Sequence, residues 1–130
     1  MPSNIRGIEQ ERAKAAYIYV KSVVDSQPDK VKTKYKSGAK KIPVLIKTNG
    51  LGQSLAFIKN RDDGWKIIYQ QLTEWLQKKE LIPNGTIDLV YAVIKKESDY
   101  RRITVECISF LNWLRRFVDG LMEDVKENNS

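Results

Sequence analysis

Apolar side chains recur at steps of three and four along nearly the whole chain, which is the spacing of one face of an α-helix. The first such stretch covers residues 4–25, and the longest, from Tyr100 to Val125, forms a heptad-like seam. No segment alternates with the period of two that is typical of a β-strand. The pattern predicts an all-α fold: a compact bundle of about five to seven helices in a single domain over residues 1–130, with a frayed tail at about 126–130.

Proline and glycine divide the chain into these helices. Pro28 ends the first predicted helix and Gly50 ends the second, because proline disfavours helix at the preceding residue and glycine tolerates the positive φ of a helix end. Pro43 lies inside the second predicted helix and predicts either a kink or two short helices. The polar turn at residues 60–64 offers two aspartates as caps of the next helix, and Thr86 is predicted to open a short helix before the last one.

The composition removes most catalytic chemistry. The chain of 130 residues has no histidine and one cysteine, which excludes histidine-based general bases, histidine metal sites, zinc fingers and disulfide frameworks. The acidic pairs Asp62-Asp63 and Glu123-Asp124 are adjacent in sequence, and adjacent residues on a helix do not face each other. Cys107 falls within the apolar seam, where we expect a buried thiol. We therefore expect no enzyme activity, no cofactor and no metal site.

The positive charge is concentrated in one segment. The net charge is +7, from 23 Lys and Arg against 16 Asp and Glu, yet residues 30–61 hold nine Lys and Arg and no Asp or Glu. The remaining residues carry 14 basic and 16 acidic side chains, a balance of −2. A local basic field attracts polyanions, of which nucleic acid is the commonest; a solvated, lysine-rich helix face is the alternative.

The spacing of the lysines places them on particular sides of the second predicted helix. Three fall opposite its apolar stripe (Lys36, Lys40 and Lys47), and three line one flank (Lys30, Lys34 and Lys41). The turn that follows contains Gly50-Leu51-Gly52, without the Gly-Lys-Ser/Thr sequence or the preceding strand of a phosphate-binding loop. It is predicted to be a tight interhelical turn, or one whose backbone N–H groups, with Lys47, contact a phosphate of a bound strand.

Several short motifs together resemble one family. They are Gln10-Glu11-Arg12-Ala13-Lys14-Ala15-Ala16, Tyr35-Lys36-Ser37, Ala39-Lys40-Lys41-Ile42-Pro43, the core Thr48-Asn49-Gly50-Leu51-Gly52-Gln53 within the segment Ile46 to Phe57, and Leu111-Asn112-Trp113-Leu114-Arg115-Arg116-Phe117. Over about residues 8–122 the chain resembles the small helical subunit of type III-B CRISPR effector complexes, the Cmr family. The resemblance implies a non-catalytic subunit that stacks with copies of itself in a filament, beside the backbone and large subunits and along the guide RNA–target RNA duplex.

The resemblance also implies where the contacts lie. It implies a basic RNA-contacting surface, to which the charge pattern adds Lys34, so that the expected residues are Lys34, Lys36, Lys40, Lys41, Lys47, Lys59 and Arg61. Protein contacts are expected at Arg12 in the first motif and at Arg115 and Arg116 in the last, because arginine is enriched at interfaces. For Arg115 and Arg116, a solvated face is the alternative.

The same residues also bear on alternative functions and on cellular location. A basic helical adaptor that binds an acidic protein partner fits the lysines equally well. A DNA-binding helix-turn-helix is disfavoured, because no predicted recognition helix begins with Arg, Asn or Gln. No apolar run approaches the roughly 18 residues of a membrane span, and residues 1–4 lack the apolar core of a signal peptide. We therefore expect a cytoplasmic protein with no membrane partner.

Overall fold

The computed structural model describes residues 5–95 and 99–126. Within these ranges it contains six α-helices joined by turns. In chain order they are α1 (Ile5–Ser26), α2 (Asp29–Asn49), α3 (Leu51–Ile58), α4 (Asp63–Lys78), α5 (Leu89–Ile94) and α6 (Tyr100–Leu121). No strand occurs within these described ranges, so the predicted all-α bundle is confirmed. Most of the predicted frayed tail, residues 127–130, lies outside the described ranges.

Helix α2 packs against three other helices, α3, α4 and α6. Its side chains Tyr35, Ala39 and Ile42 are fully buried. The helix continues through Pro43, so the alternative of two short helices is wrong. A proline inside a helix costs about 3 kcal/mol. Packing on three sides offsets that cost, because each large apolar side chain that is fully buried contributes about 1.5–3 kcal/mol.

Helix α4 begins against the backbone of α2. Asp62 caps it, as one of the two predicted aspartates, and accepts a hydrogen bond from the backbone N–H of Trp65 at 3.3 Å. At Gly64, a Cβ atom would lie 2.4 Å from the backbone nitrogen of Tyr35 and 2.6 Å from the carbonyl carbon of Lys34. Real Cβ atoms do not approach so closely, so the contact between the two helices depends on glycine at this position.

Helices α1 and α6 pair with each other, and the predicted apolar seam of α6 is buried. The fully buried members are Ile103, Cys107, Leu111, Leu114 and Val118. The seam was expected to continue to Val125, whereas α6 ends at Leu121. Beyond the end, the backbone N–H of Val125 bonds to the carbonyl oxygen of Met122 at 3.0 Å and closes a tight turn.

The start of the short helix α5 differs from the prediction. Thr86 was expected to open it, but α5 begins at Leu89, and the carboxylate of Asp88 caps it by accepting from the backbone N–H of Tyr91 at 3.2 Å. The hydroxyl of Thr86 donates to the carbonyl oxygen of Pro83 and so belongs to the preceding turn. Both side chains are good caps by type, so the local hydrogen bonds decide between them.

Replacing Gly64 with Ala should destabilise the fold, because the added methyl group would meet the backbone of α2 and not the movable end of a side chain. We expect the free energy of unfolding to fall by about 1–3 kcal/mol, the usual cost of overpacking. Gly120→Ala is the matched control: nothing lies within 4 Å of a Cβ there. Stability should then rise by up to about 1 kcal/mol, because alanine is the better helix former. Urea unfolding measures both, and equal stability of the two variants would contradict the close contact.

Candidate nucleic-acid interface

The basic segment occupies α2, α3 and the turn after α3. Within it, Lys47 and Lys59 are exposed, while Lys34, Lys40 and Lys41 are partly exposed. Although residues 30–61 contain no acidic side chain, folding brings two acidic groups toward this surface from elsewhere. Lys34 lies 3.8 Å from the carboxylate of the α4 cap, and Lys59 lies 3.9 Å from that of the α5 cap. Lys32 likewise lies 3.9 Å from Asp29. These three carboxylates stand against nine Lys and Arg in the segment, so the surface keeps a positive balance.

Lys36 lies elsewhere than predicted. Its side chain is only 7% exposed, and its ammonium group donates to the carbonyl oxygens of Met122 and Val125, each at 2.8 Å. These carbonyls follow the C-terminal end of α6, where a cation is favoured by the helix dipole. The expectation that Lys36 shares an exposed face with Lys40 and Lys47 is therefore wrong.

Four of the remaining lysines of α2 form two short rows, which we call the basic face: Lys40 with Lys47, and Lys34 with Lys41. The members of each row are seven residues apart, which brings them to the same side of a helix about 10 Å apart along its axis. Val44, on the row of Lys40 and Lys47, is 55% exposed. Together the two rows span Lys34 to Lys47, about 20 Å along the helix axis. Lys47 is exposed, and Lys34, Lys40 and Lys41 are partly exposed, with Lys34 beside the start of α4.

Arg61 is held in place by two aromatic rings. Its guanidinium carbon lies 5.1 Å from the ring centre of Phe57 and 4.9 Å from that of Trp65. The two rings meet edge to face with their centres 6.3 Å apart. Trp65 is buried, whereas half of Phe57 is exposed. The aromatic pair therefore fixes a cation at the end of the basic segment, beside an exposed ring.

The turn between α2 and α3 is interhelical, as predicted. Gly50 adopts a φ of 88°, and its N–H donates to the carbonyl oxygen of Ile46 at 2.9 Å, ending α2. The N–H of Gly52 donates to the phenol oxygen of Tyr100 at 2.8 Å, which ties the start of α3 to the start of α6. This N–H group is therefore engaged within the fold, and a phosphate contact would have to use other donors.

A groove of about 480 Å³ lies between α2 and α3 beside this turn, and we call it the α2–α3 groove. Its lining residues are Leu45, Asn49, Gln53, Ser54, Ala56 and Phe57. None of them is among the residues predicted from the sequence to form a site. Asn49 and Gln53 belong to the family-like core motif, which was the available signal; the exposed position of Phe57 follows only from the packing of α3.

Arg12 takes part in a hydrogen-bond network within the fold. Its guanidinium donates to both carboxylate oxygens of Glu106, at 2.6 and 2.9 Å, and the indole N–H of Trp75 donates to the same carboxylate at 3.0 Å. The hydrogen bond with Glu106 raises the pKa of Arg12 above its usual value. Helices α1, α4 and α6 therefore meet at one carboxylate, and the predicted interface residue Arg12 has this internal role.

A second groove, of about 590 Å³, brings the first and last motifs together, and we call it the α1–α6 groove. Its lining residues are Glu9, Arg12, Ser109, Asn112, Trp113 and Arg116. The predicted interface residues Arg115 and Arg116 are both exposed on α6. Trp113 stacks on Phe117 with ring centres 5.7 Å apart. The groove thus combines two arginines, a glutamate, an indole and two neutral polar side chains.

Other chemistry has little support in the described part of the chain. No group of three or more potential metal ligands occurs there. Cys107 is buried as predicted, and burial, together with the nearby charge of Glu106, raises the pKa of its thiol well above the usual range. No helix within the described ranges is both long enough and apolar enough to span a membrane.

Most of the chain is similar in sequence and in structure to known proteins. The family model of the CRISPR-associated protein Cas_Cmr5 matches residues 8–121. The CRISPR system Cmr subunit Cmr5 of Thermus thermophilus is 32% identical over 92 residues, which are 69% of this chain and 76% of that protein. A crystal structure of a CRISPR-associated Cmr5 family protein from the same species superposes with a TM-score of 0.69 at 25% identity, covering 87% of this chain and 98% of that one.

The position of Lys36 predicts a structural and not a binding role. Lys36→Met keeps the apolar stem but removes both hydrogen bonds of the ammonium group; the carbonyl oxygen of Met122 keeps the N–H of Val125, while that of Val125 loses the Lys36 donor. We expect the free energy of unfolding to fall by about 1.5–3 kcal/mol, as for other hydrogen bonds to charged groups. Thermal and urea unfolding measure this change. A variant as stable as the wild type would contradict the assigned role of the ammonium group.

Proposed function

The chain belongs to the CRISPR-associated Cas_Cmr5 family, and from that premise we propose that it is the non-catalytic small subunit of a type III-B CRISPR (Cmr) RNA-guided effector complex. Copies of the chain stack in a filament along the guide RNA–target RNA duplex, beside the backbone and large subunits. The observation that carries the RNA contact is the basic face on α2, with Lys59 and Arg61 at the far end of the segment.

Exposed and partly exposed lysines suit such a contact. A guide reads its target by base pairing, so a supporting subunit needs to meet phosphates and not base edges. Lysine is a point charge on a flexible stem, which adapts to phosphates without fixed geometry. Two rows of lysines on one subunit give weak binding, but repetition of the same contacts along a filament multiplies them through effective concentration. The contact is therefore electrostatic and independent of RNA sequence.

The α1–α6 groove is the proposed contact with neighbouring Cmr subunits. It lies on helices other than the basic face, so one chain can meet RNA and protein at the same time. Arg116 lines it beside the indole of Trp113, and tryptophan and arginine are the residue types that dominate binding energy at interfaces. The non-catalytic role is supported by Cys107, whose buried thiol is unsuited to nucleophilic chemistry.

Removing two lysines of the basic face should reduce the salt dependence of RNA binding. Each phosphate contact releases condensed counterions, so Lys40→Ala with Lys47→Ala should lower the slope of log affinity against log salt by roughly one unit per lost contact. Sequence preference should not change. The measurement is target-RNA affinity at several salt concentrations, for assembled complexes of equal subunit composition.

The matched control for this experiment is Lys36→Met, which removes one lysine charge from the same helix but not from its exposed face. Its salt slope should equal that of the wild type. If the double variant also keeps the wild-type slope, the basic face is a solvated surface. If the double variant binds RNA normally but loses a protein subunit from the complex, the lysines serve an acidic protein partner instead.

Reversing the charge in the α1–α6 groove should weaken subunit assembly. We expect Arg116→Glu to lower the affinity for neighbouring Cmr subunits by about tenfold or more, as at other arginine hot spots. The control is Arg101→Glu, an exposed arginine at the opposite end of α6 that does not line the groove. Co-purification from the host measures both, and equal recovery of the other subunits with both variants would place the interface elsewhere.

A further inference from the structure

We propose that the α2–α3 groove holds an unpaired RNA base, stacked on the ring of Phe57. The proposal deepens the proposed function and rests on it, because the basic face would bring the strand to the groove. The base site gives a role to Asn49 and Gln53 of the family-like core motif, which take no part in the proposed phosphate contact. A base inside a duplex does not expose its faces, so the ligand is a nucleotide in a loop, a bulge or an extruded position.

Phe57 has the properties of a stacking platform. Half of the residue is exposed, although the other large apolar side chains of α3 (Leu51, Leu55 and Ile58) are buried. The guanidinium of Arg61 and the edge-to-face contact with Trp65 fix the orientation of the ring before any ligand arrives. A preordered ring loses little entropy on binding, and every base offers a flat face, so stacking on it tolerates any sequence.

The polar lining of the groove suits a base edge. Asn49 at the end of α2 and Gln53 on α3 are exposed amides, each with a donor and an acceptor, as the edges of bases require. Ser54 is 2% exposed, and its buried hydroxyl has no hydrogen-bond partner within the described residues. An unpartnered hydroxyl in the wall of a groove indicates that the site takes a polar ligand.

The charge around the groove favours RNA over a protein segment. All six lining residues are uncharged, so the lining itself favours neither a positively nor a negatively charged ligand. Lys41 lies one turn before Leu45 on α2, and Arg61 contacts the ring of Phe57, so cations flank the groove at both helices. A strand whose base enters the groove would place its phosphates beside these cations. An apolar protein segment would instead leave the amides of Asn49 and Gln53 poorly matched.

The test uses two RNA duplexes of equal length with the purified full chain at low salt. One duplex is fully paired, and the other carries a single unpaired 2-aminopurine, whose fluorescence falls when the base stacks. The wild type should bind the second duplex about tenfold more tightly, the effect of stacking one base, and should quench its fluorescence. Phe57→Ala should lose the preference and the quenching.

Further variants test whether the aromatic ring of Phe57 itself is required. Phe57→Tyr should keep both effects, and Phe57→Leu, which keeps an apolar side chain without a ring, should lose them even if Phe57→Ala folds poorly. Tyr91→Ala is the matched control, because Tyr91 is 59% exposed and has the ammonium of Lys95 5.4 Å from its ring centre, but lies outside the groove. It should behave as the wild type.

The outcomes separate this site from the proposed function. Normal binding of the paired duplex with no preference for the unpaired base, or a preference that survives Phe57→Leu, would overturn the base site and leave the basic face standing. No binding of either duplex would overturn both. If Phe57→Leu impairs only assembly with other Cmr subunits, the groove is a protein contact and the base site is likewise wrong.

Discussion

Burial of α2 on three sides is the constraint on which the rest of the molecular surface depends. Helices α3, α4 and α6 cover it, and Gly64 holds the start of α4 at backbone contact with it. Of the lysines of α2, Lys36 is buried and the others are exposed or partly exposed, because a charged group is costly to bury without partners. The position of the basic face therefore follows from how the helix is packed as well as from how many lysines it carries.

Lys36 shows what happens where a lysine of α2 is buried. Its stem runs into the bundle and its ammonium group meets the two carbonyl oxygens that follow α6. The carbonyl oxygen of Met122 also accepts from the N–H of Val125, and both carbonyls lie just beyond the last turn of α6, so a cation there adds hydrogen bonds close to the negative end of the helix dipole. The same residue type thus anchors one helix to another at Lys36, while at Lys40 and Lys47 it lies toward solvent. Counting charges along a helix does not distinguish these two uses.

Most of the fold could be predicted from the sequence, because six segments follow the helical period and their breaks carry proline, glycine or aspartate. The differences arise where tertiary contacts decide. Pro43 does not divide α2, because packing on three sides exceeds its local cost. Thr86 and Asp88 are both good caps by type, and the chain uses the second. The candidate grooves could not be predicted. Each is lined by side chains from two helices, and the local sequence pattern does not indicate how two helices lie relative to each other.

The core motif between α2 and α3 combines structure and recognition within a few residues. Gly50 and Gly52 make the turn and attach it to Tyr100, while Asn49 and Gln53 line the adjoining groove. The proposed contacts on the two sides of this turn differ in physical kind. Lysines attract phosphates over a range of about 8–10 Å that salt shortens, whereas stacking on Phe57 acts only at contact and depends little on salt. A subunit with both can hold any duplex loosely and still respond to a base that leaves its pair. The hydrogen bond from Gly52 to Tyr100 fixes the turn to α6, so the two proposed contacts lie on one framework, and in this proposal the subunit would sense RNA pairing without reading any base.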